Sequence, residues 1–263
     1  MNGQSVSAPG TEASVRAPER VRPERVMVKG RDCWWTVLVI DPVAGPIVRL
    51  LVGVAWVTPN LVTAAATVVA FGAAAAYAVG ALIAGALLFQ ASFLLDCVDG
   101  KLAQARGLDS RYGGYIDALG DAARFVPCTG ALVFHLATSE HPSAASVAAL
   151  ALFPTVHYAV LTTQRAWPSA PKDQPLAVAA TPIAFLRAAR HRLSKPATTV
   201  DTEALAFTVG PIAGFPLEAL VAAAAVDCLR LLMSATARLR IVLRGLDADR
   251  PERPPQDAAA PHD

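Results

Sequence analysis

The stretch DCVDGKLAQARGLDSRYGGYIDALGD, residues 96–121, carries aspartates whose order and spacing can do chemistry. On a helix, positions three, four and seven apart share a face, so Asp96, Asp99, Gly100 and Ala103 form one stripe. Gly113, Asp117 and Asp121 form a second stripe at intervals of four. The polar turn RGLDSRY between them is short enough to make the two helices antiparallel neighbours. The spacing therefore predicts four carboxylates converging over a floor of residues with almost no side chain. Bare carboxylates cannot share a partly dehydrated pocket, because each makes the ionised form of the others more costly. No cluster of Lys or Arg accompanies them beyond Lys101 and Arg124. One or two divalent cations would resolve the conflict, and an all-oxygen donor set favours Mg²⁺, Mn²⁺ or Ca²⁺ over zinc or copper. The space left by Gly100, Ala103 and Gly113 suits something bulky, and metal with carboxylates suits a phosphorylated substrate. Two cations could neutralise a pyrophosphate while a free aspartate takes a proton from an attacking hydroxyl.

The elements that must hold these residues are set by hydropathy. The chain of 263 residues is 54% hydrophobic and 17% charged, with a mean hydropathy of +0.42. So little charge excludes an ordinary soluble domain of this size and points to a polytopic helical membrane protein. The net charge of +2 argues against a nucleic-acid partner. The four cysteines are far apart, form no C-x-x-C, and read as small apolar fillers. A spanning helix needs roughly 20 apolar residues. Six spans are expected: 58–80, 81–105, 112–137, 144–163, and a fifth and sixth within 203–237, interrupted by Gly210, Pro211, Gly214 and Pro216. Thr58 and Ser110 are the expected caps of the first and third, with Pro59 in a first turn. Residues 33–57, with Trp34, Trp35 and Trp56, read as a helix lying in the membrane interface, because Asp41, Pro42, Gly45, Pro46 and Arg49 sit in its middle. The membrane domain is placed at 32–240. Residues 1–31 and 241–263, rich in Pro, Arg and Ala, read as disordered tails. Residues 165–200 read as a basic loop with an interfacial helix over the apolar patch 176–186. Lys and Arg concentrate in cytoplasmic loops. They fall in the N-terminal tail, 101–111, 165–195 and 230–253, which places both termini and the aspartate cluster on the cytoplasmic side.

The spacing of 96–121 resembles the signature of the CDP-alcohol phosphatidyltransferases, D-x2-D-G-x2-A-R-x8-G-x3-D-x3-D. Asp96, Asp99, Gly100, Ala103, Gly113, Asp117 and Asp121 all match it. The stretch VTPNLVT, residues 57–63, also looks like the opening of the family's first span. The resemblance covers about Trp34 to Arg240 and implies a six-span, homodimeric membrane enzyme with a cytoplasm-facing site. Such an enzyme moves a substituted phosphate from a CDP-alcohol, most commonly CDP-diacylglycerol, to an acceptor alcohol and releases CMP. By position, Asp96, Asp99 and Asp117 would hold two Mg²⁺ or Mn²⁺ ions. Asp121 would complete the metal site and serve as general base. Gly100 and Ala103 would lie against the cytidine with Asp96, Asp99 and Gln104 nearby, and Gly113 would let the helices approach. One position departs: the family's Arg falls on Gln104, which keeps hydrogen bonding but loses the fixed charge and fork. Arg106, about 200° further round an ideal helix, is no simple substitute.

Other polar residues have blander readings beside functional ones. Arg124, one turn past Asp121, could contact a substrate phosphate, or instead snorkel or pair with Asp121 or Asp227. Arg187 and Arg190, with His191, Arg192 and Lys195, could bind acceptor phosphate, or face anionic headgroups. Asp227 and Arg230 read as an internal ion pair, His157 and Gln90 as interhelical hydrogen-bond partners, and Asn60 as a cap or packing residue. Two rival functions use the same acidic pocket: a divalent-cation transporter, which should carry acidic residues across the bilayer, and a non-catalytic nucleotide- or lipid-binding relative, favoured by Gln104 alone.

Overall fold

The computed structural model describes residues 25–108, 111–139, 144–166, 175–194 and 198–248. In chain order the elements are β1 (Arg25–Val28), a π-helical turn (Thr36–Ile40) running into α1 (Asp41–Leu51), α2 (Pro59–Ala78), α3 (Leu82–Ala105), α4 (Arg111–Thr138), α5 (Ala144–Ala166), β2 (Leu176–Ala179) and α6 (Pro182–Arg192). Then come α7 (Thr199–Ala204), a second π-helical turn (Leu205–Val209), α8 (Gly210–Ala213) and α9 (Pro216–Ala248). The architecture is helical and membrane-spanning. Three helices among the described residues, Pro59–Ala78, Leu82–Ala105 and Pro216–Leu243, are long and apolar enough to cross a membrane.

Local chemistry sets the boundaries. Thr58 is extended and its hydroxyl accepts from Leu61 N at 3.2 Å, with Pro59 at the first helical position of α2. Asn60, a candidate cap, is exposed instead. Gly80 (φ 78°) turns the chain from α2 into α3, a conformation that a side chain would strain. The expected interruption after residue 209 is a reversal at Gly214 (φ 80°), after which Pro216 opens α9. Ser110 and the turn at 140–143 lie outside the described residues.

Two expectations need correction. Residues 25–28 fall within the expected tail, yet they pair antiparallel with β2, Arg25 opposite Ala179 and Val28 opposite Leu176. The signal is a period of two: Val26 and Val28 are buried while Arg25 and Met27 are exposed. The basic flanking residues hid it. At the other end, α9 continues through Ala248, beyond the expected limit of 240.

The ribbon, α1 and α6 form one apolar cluster with the near ends of α2 and α3, built on Val26, Ile40, Val48, Phe93, Leu102 and Phe185. Gly45 allows it: a Cβ there would collide with the Phe185 ring. Asp41 is fully buried in α1 and paired on both sides, with Arg192 Nη2 at 2.6 Å and Lys101 Nζ at 2.9 Å. A second cluster, around Tyr77, Phe89, Leu132, Phe153 and Phe207, joins α2 to α5, the second π-helical turn and α9. The cysteines are free. Cys33 donates to Thr36 Oγ1 at 2.7 Å, and burial, followed by the charge of Asp32, pushes its thiol up to about 12.

Candidate active site

Helix α3 ends in the first aspartate stripe and α4 begins with the second. The link between them is less direct than the sequence suggests. Helix α2 packs along both, while α3 and α4 touch each other less. The convergence occurs for three of the four expected carboxylates. Asp96 and Asp99 are buried, Asp117 is exposed, and one carboxylate oxygen from each lies within 4.8 Å of the others. Gly120 faces this cluster: a Cβ there would lie 3.5 Å from Asp96 Oδ1, an ordinary contact.

Each carboxylate has a different set of neighbours. Asp99 Oδ2 accepts from Thr63 Oγ1 at 2.5 Å. Asp96 Oδ2 lies 3.5 Å from Arg124 Nη1, and Asp121 Oδ1 lies 2.5 Å from Arg124 Nη2. Asp121 is thus drawn to the guanidinium and is not one of the three converging groups. Arg124 itself is 3% exposed. Its guanidinium sits 4.9 Å from the Phe93 ring centroid and 5.8 Å from that of Phe89, a cation–π seat in an apolar wall.

The donor set is all oxygen, two members are buried, and three acidic groups crowd one small volume. That combination fits a hard divalent cation such as Mg²⁺ or Mn²⁺, which would relieve the repulsion. Gly100 has open space where a Cβ would stand, while Gln104 and Gly113 are exposed and Ala103 half-buried on the flanks.

The sequence profile of the CDP-alcohol phosphatidyltransferases matches residues 56–226. The chain belongs to that family. The archaetidylinositol phosphate synthase of Methanothermobacter thermautotrophicus is 35% identical over 79 residues, a match spanning 30% of this chain and 36% of that protein's length. The fold is shared with Mycobacterium tuberculosis phosphatidylinositol phosphate synthase solved with CDP-DAG bound, at 19% identity and a TM-score of 0.52, covering 75% of this chain and 92% of that one. The same enzyme with manganese and citrate gives 20% identity and a TM-score of 0.48, over 73% and 88% of the two chains.

In this CDP-alcohol phosphatidyltransferase relative, several candidates fall away from the carboxylates. Arg187, Arg190 and His191 are exposed on α6, which packs on α1, and Arg192 turns inward to Asp41 and the Lys29 carbonyl. Lys195 lies outside the described residues. Arg106 is occupied: Nη1 donates to Val57 O at 2.6 Å, and Nη2 to Leu51 O at 2.7 Å and Val54 O at 2.9 Å. It clamps the link between α1 and α2 and cannot serve in place of Gln104. Gln90 bridges Trp35 Nε1 at 2.9 Å and Thr208 Oγ1 at 2.5 Å. Asp227 pairs with Arg230 at 2.9 Å and with His157 Nδ1 at 2.7 Å, so His157 is a structural contact. The residue that sequence reasoning missed is Thr63. Its signal was present as the last position of VTPNLVT, one turn after Pro59.

Proposed function

We propose that the chain is a membrane phosphotransferase that moves a substituted phosphate from a CDP-alcohol, with CDP-diacylglycerol as donor, to an acceptor alcohol and releases CMP. The observation that carries this reading is the convergence of Asp96, Asp99 and Asp117 within 4.8 Å in a member of this family. CDP-DAG is bound in the M. tuberculosis enzyme that shares the fold. Asp96, Asp99 and Asp117, with Asp121 completing the set, would hold Mg²⁺ or Mn²⁺, two ions when full. When bound, the ions supply neutralisation of the donor pyrophosphate and of the phosphate that leaves.

The chain's own groups do the rest. Thr63 orients Asp99. Gly100 and Ala103 leave the backbone open to the cytidine, with Gln104 as a neutral hydrogen-bonding flank, and Gly113 leaves room beside them. Asp121, the carboxylate outside the tight cluster, takes the proton of the acceptor hydroxyl as it attacks the phosphorus distal to cytidine. The reading includes six spans, both termini and the site on the cytoplasmic side, and a homodimer. The basic loops support the orientation.

The test is direct. Purified protein in detergent with Mn²⁺, CDP-diacylglycerol and a panel of acceptors (inositol phosphate, glycerol phosphate, serine) should release CMP with at least one. No CMP from any pair, together with Mn²⁺ flux through the protein in liposomes, would reject the enzyme in favour of a transporter.

A further inference from the structure

We propose that Arg124 is a resident counter-cation of the carboxylate site, holding Asp121 apart from the Asp96–Asp99–Asp117 cluster until a divalent ion draws Asp121 in. The proposal rests on the reading above only in taking that cluster to bind a divalent cation.

A guanidinium stays charged at any pH the protein meets. Arg124 is therefore a permanent competitor for the same oxygens. It contacts one carboxylate from each motif helix, Asp96 Oδ2 on α3 at 3.5 Å and Asp121 Oδ1 on α4 at 2.5 Å. Glu203 of α7 adds a third negative charge within electrostatic reach of both Asp121 and Arg124.

The two partners differ in freedom. The Arg124 side chain is 4% exposed and seated between the Phe93 and Phe89 rings, whereas the Asp121 side chain is 48% exposed. Arg124 is the enclosed partner and Asp121 the open one, so the rearrangement on ion binding falls to Asp121. Without the ion, the guanidinium offsets part of the carboxylate repulsion, which explains how the acidic cluster is tolerated. With the ion present, the same positive charge becomes unfavourable to it, and Asp121 exchanges one cation for another. Arg124 Nε, buried with no hydrogen-bond partner among the described residues, shows that the guanidinium is not saturated by this arrangement.

The test uses the full chain in detergent, with Mn²⁺ alone and no substrate. Arg124→Gln should bind Mn²⁺ roughly tenfold tighter than wild type, the direction demanded by removing a like charge beside the ion. In EDTA the variant should melt below wild type, and Mn²⁺ should restore most of the difference. Unchanged or weaker binding, or a melting deficit that Mn²⁺ leaves untouched, would make Arg124 a plain packing residue and overturn the proposal. Should Arg124→Gln not fold, the wild-type chain still decides the matter. In a Mn²⁺-bound structure, Asp121 should leave Arg124 by more than about 4 Å, the limit of an ion pair, and join the other three carboxylates. A pair that persists overturns the proposal. CMP release is scored separately. Tighter Mn²⁺ binding without CMP release keeps this inference and removes the phosphotransferase reading, and the reverse result does the opposite.

Discussion

Besides Asp41 in α1, the described residues bury acidic side chains in two further places and treat them differently. Between α5, α7 and α9, Asp227 is enclosed by His157 Nδ1 at 2.7 Å, Arg230 Nη1 at 2.9 Å and Thr202 Oγ1 at 3.3 Å, while His157 Nε2 faces Glu203 at 3.2 Å. Phe125 stacks on the imidazole, 4.6 Å between centroids. Every acidic group there has a positive or hydrogen-donating partner. At the junction of α3 and α4, Arg124 pairs with Asp96 and Asp121, while Asp96, Asp99 and Asp117 bring carboxylate oxygens within 4.8 Å of one another, a net surplus of negative charge. A buried cluster that closes on itself holds helices together. One left with surplus negative charge is poised for a ligand of opposite charge.

This contrast predicts opposite phenotypes for single aspartate changes. Asp227→Ala leaves the buried His157 and the half-buried Arg230 without their shared partner, which costs about 3–5 kcal/mol for a broken interior ion pair. The variant should melt far below wild type in detergent, and Mn²⁺ should not rescue it. Asp121→Asn should leave melting near wild type and lower turnover by about 10²–10⁴-fold, the usual contribution of a general base. A stable Asp227→Ala, or an Asp121→Asn that turns over normally, would erase the distinction between the two clusters.

The sequence displayed the site more clearly than its supports. The convergence of Asp96, Asp99 and Asp117 was legible from helix periodicity and the short turn, whereas the departure of Asp121 to Arg124 was not. The pair Asp227–Arg230 was legible from the same periodicity, being three residues apart on one helix. What could not be read was any contact between segments distant in the chain. Arg192 looks like one more basic residue on α6, and only packing against α1 turns it toward Asp41, 151 residues away. The ribbon of β1 and β2 was hidden likewise, because pairing between strands so far apart leaves only a brief alternation in each. Arg124 could be narrowed to a salt bridge or a substrate contact, but the choice of Asp96 as a second partner depends on how α2 spaces α3 from α4.

Thr63 offers a smaller effect on the same contrast. Its hydroxyl lies 2.5 Å from Asp99 Oδ2 and 3.1 Å from the Pro59 carbonyl, and one hydrogen serves one acceptor at a time. The shorter contact makes it an orienting group for the proposed metal carboxylate. Groups of that kind typically carry about 10–100-fold in metal affinity. Thr63→Val should lose Mn²⁺ affinity in that range by titration, and Thr63→Ser should recover it. An equal loss in both would assign the effect to packing around the methyl group. Thr202 is the control, since Thr202→Val alters the saturated cluster and should leave Mn²⁺ affinity unchanged.

Gln104 should give the smallest change. It is exposed on α3, one turn beyond Gly100, where a Cβ would meet open space. The nearby Arg106 is committed to the carbonyls of Leu51, Val54 and Val57, so the site meets the donor without the arginine that the family places at this position. A guanidinium there would add charge and a second donor, but in an exposed setting it should strengthen donor binding by less than about tenfold, the scale of an exposed ion pair. Gln104→Arg should therefore lower KM for CDP-diacylglycerol modestly and leave kcat nearly unchanged, because the added contact is made equally in ground and transition states. A large rise in kcat would mean instead that the natural chain is a weakened copy whose four aspartates await that charge.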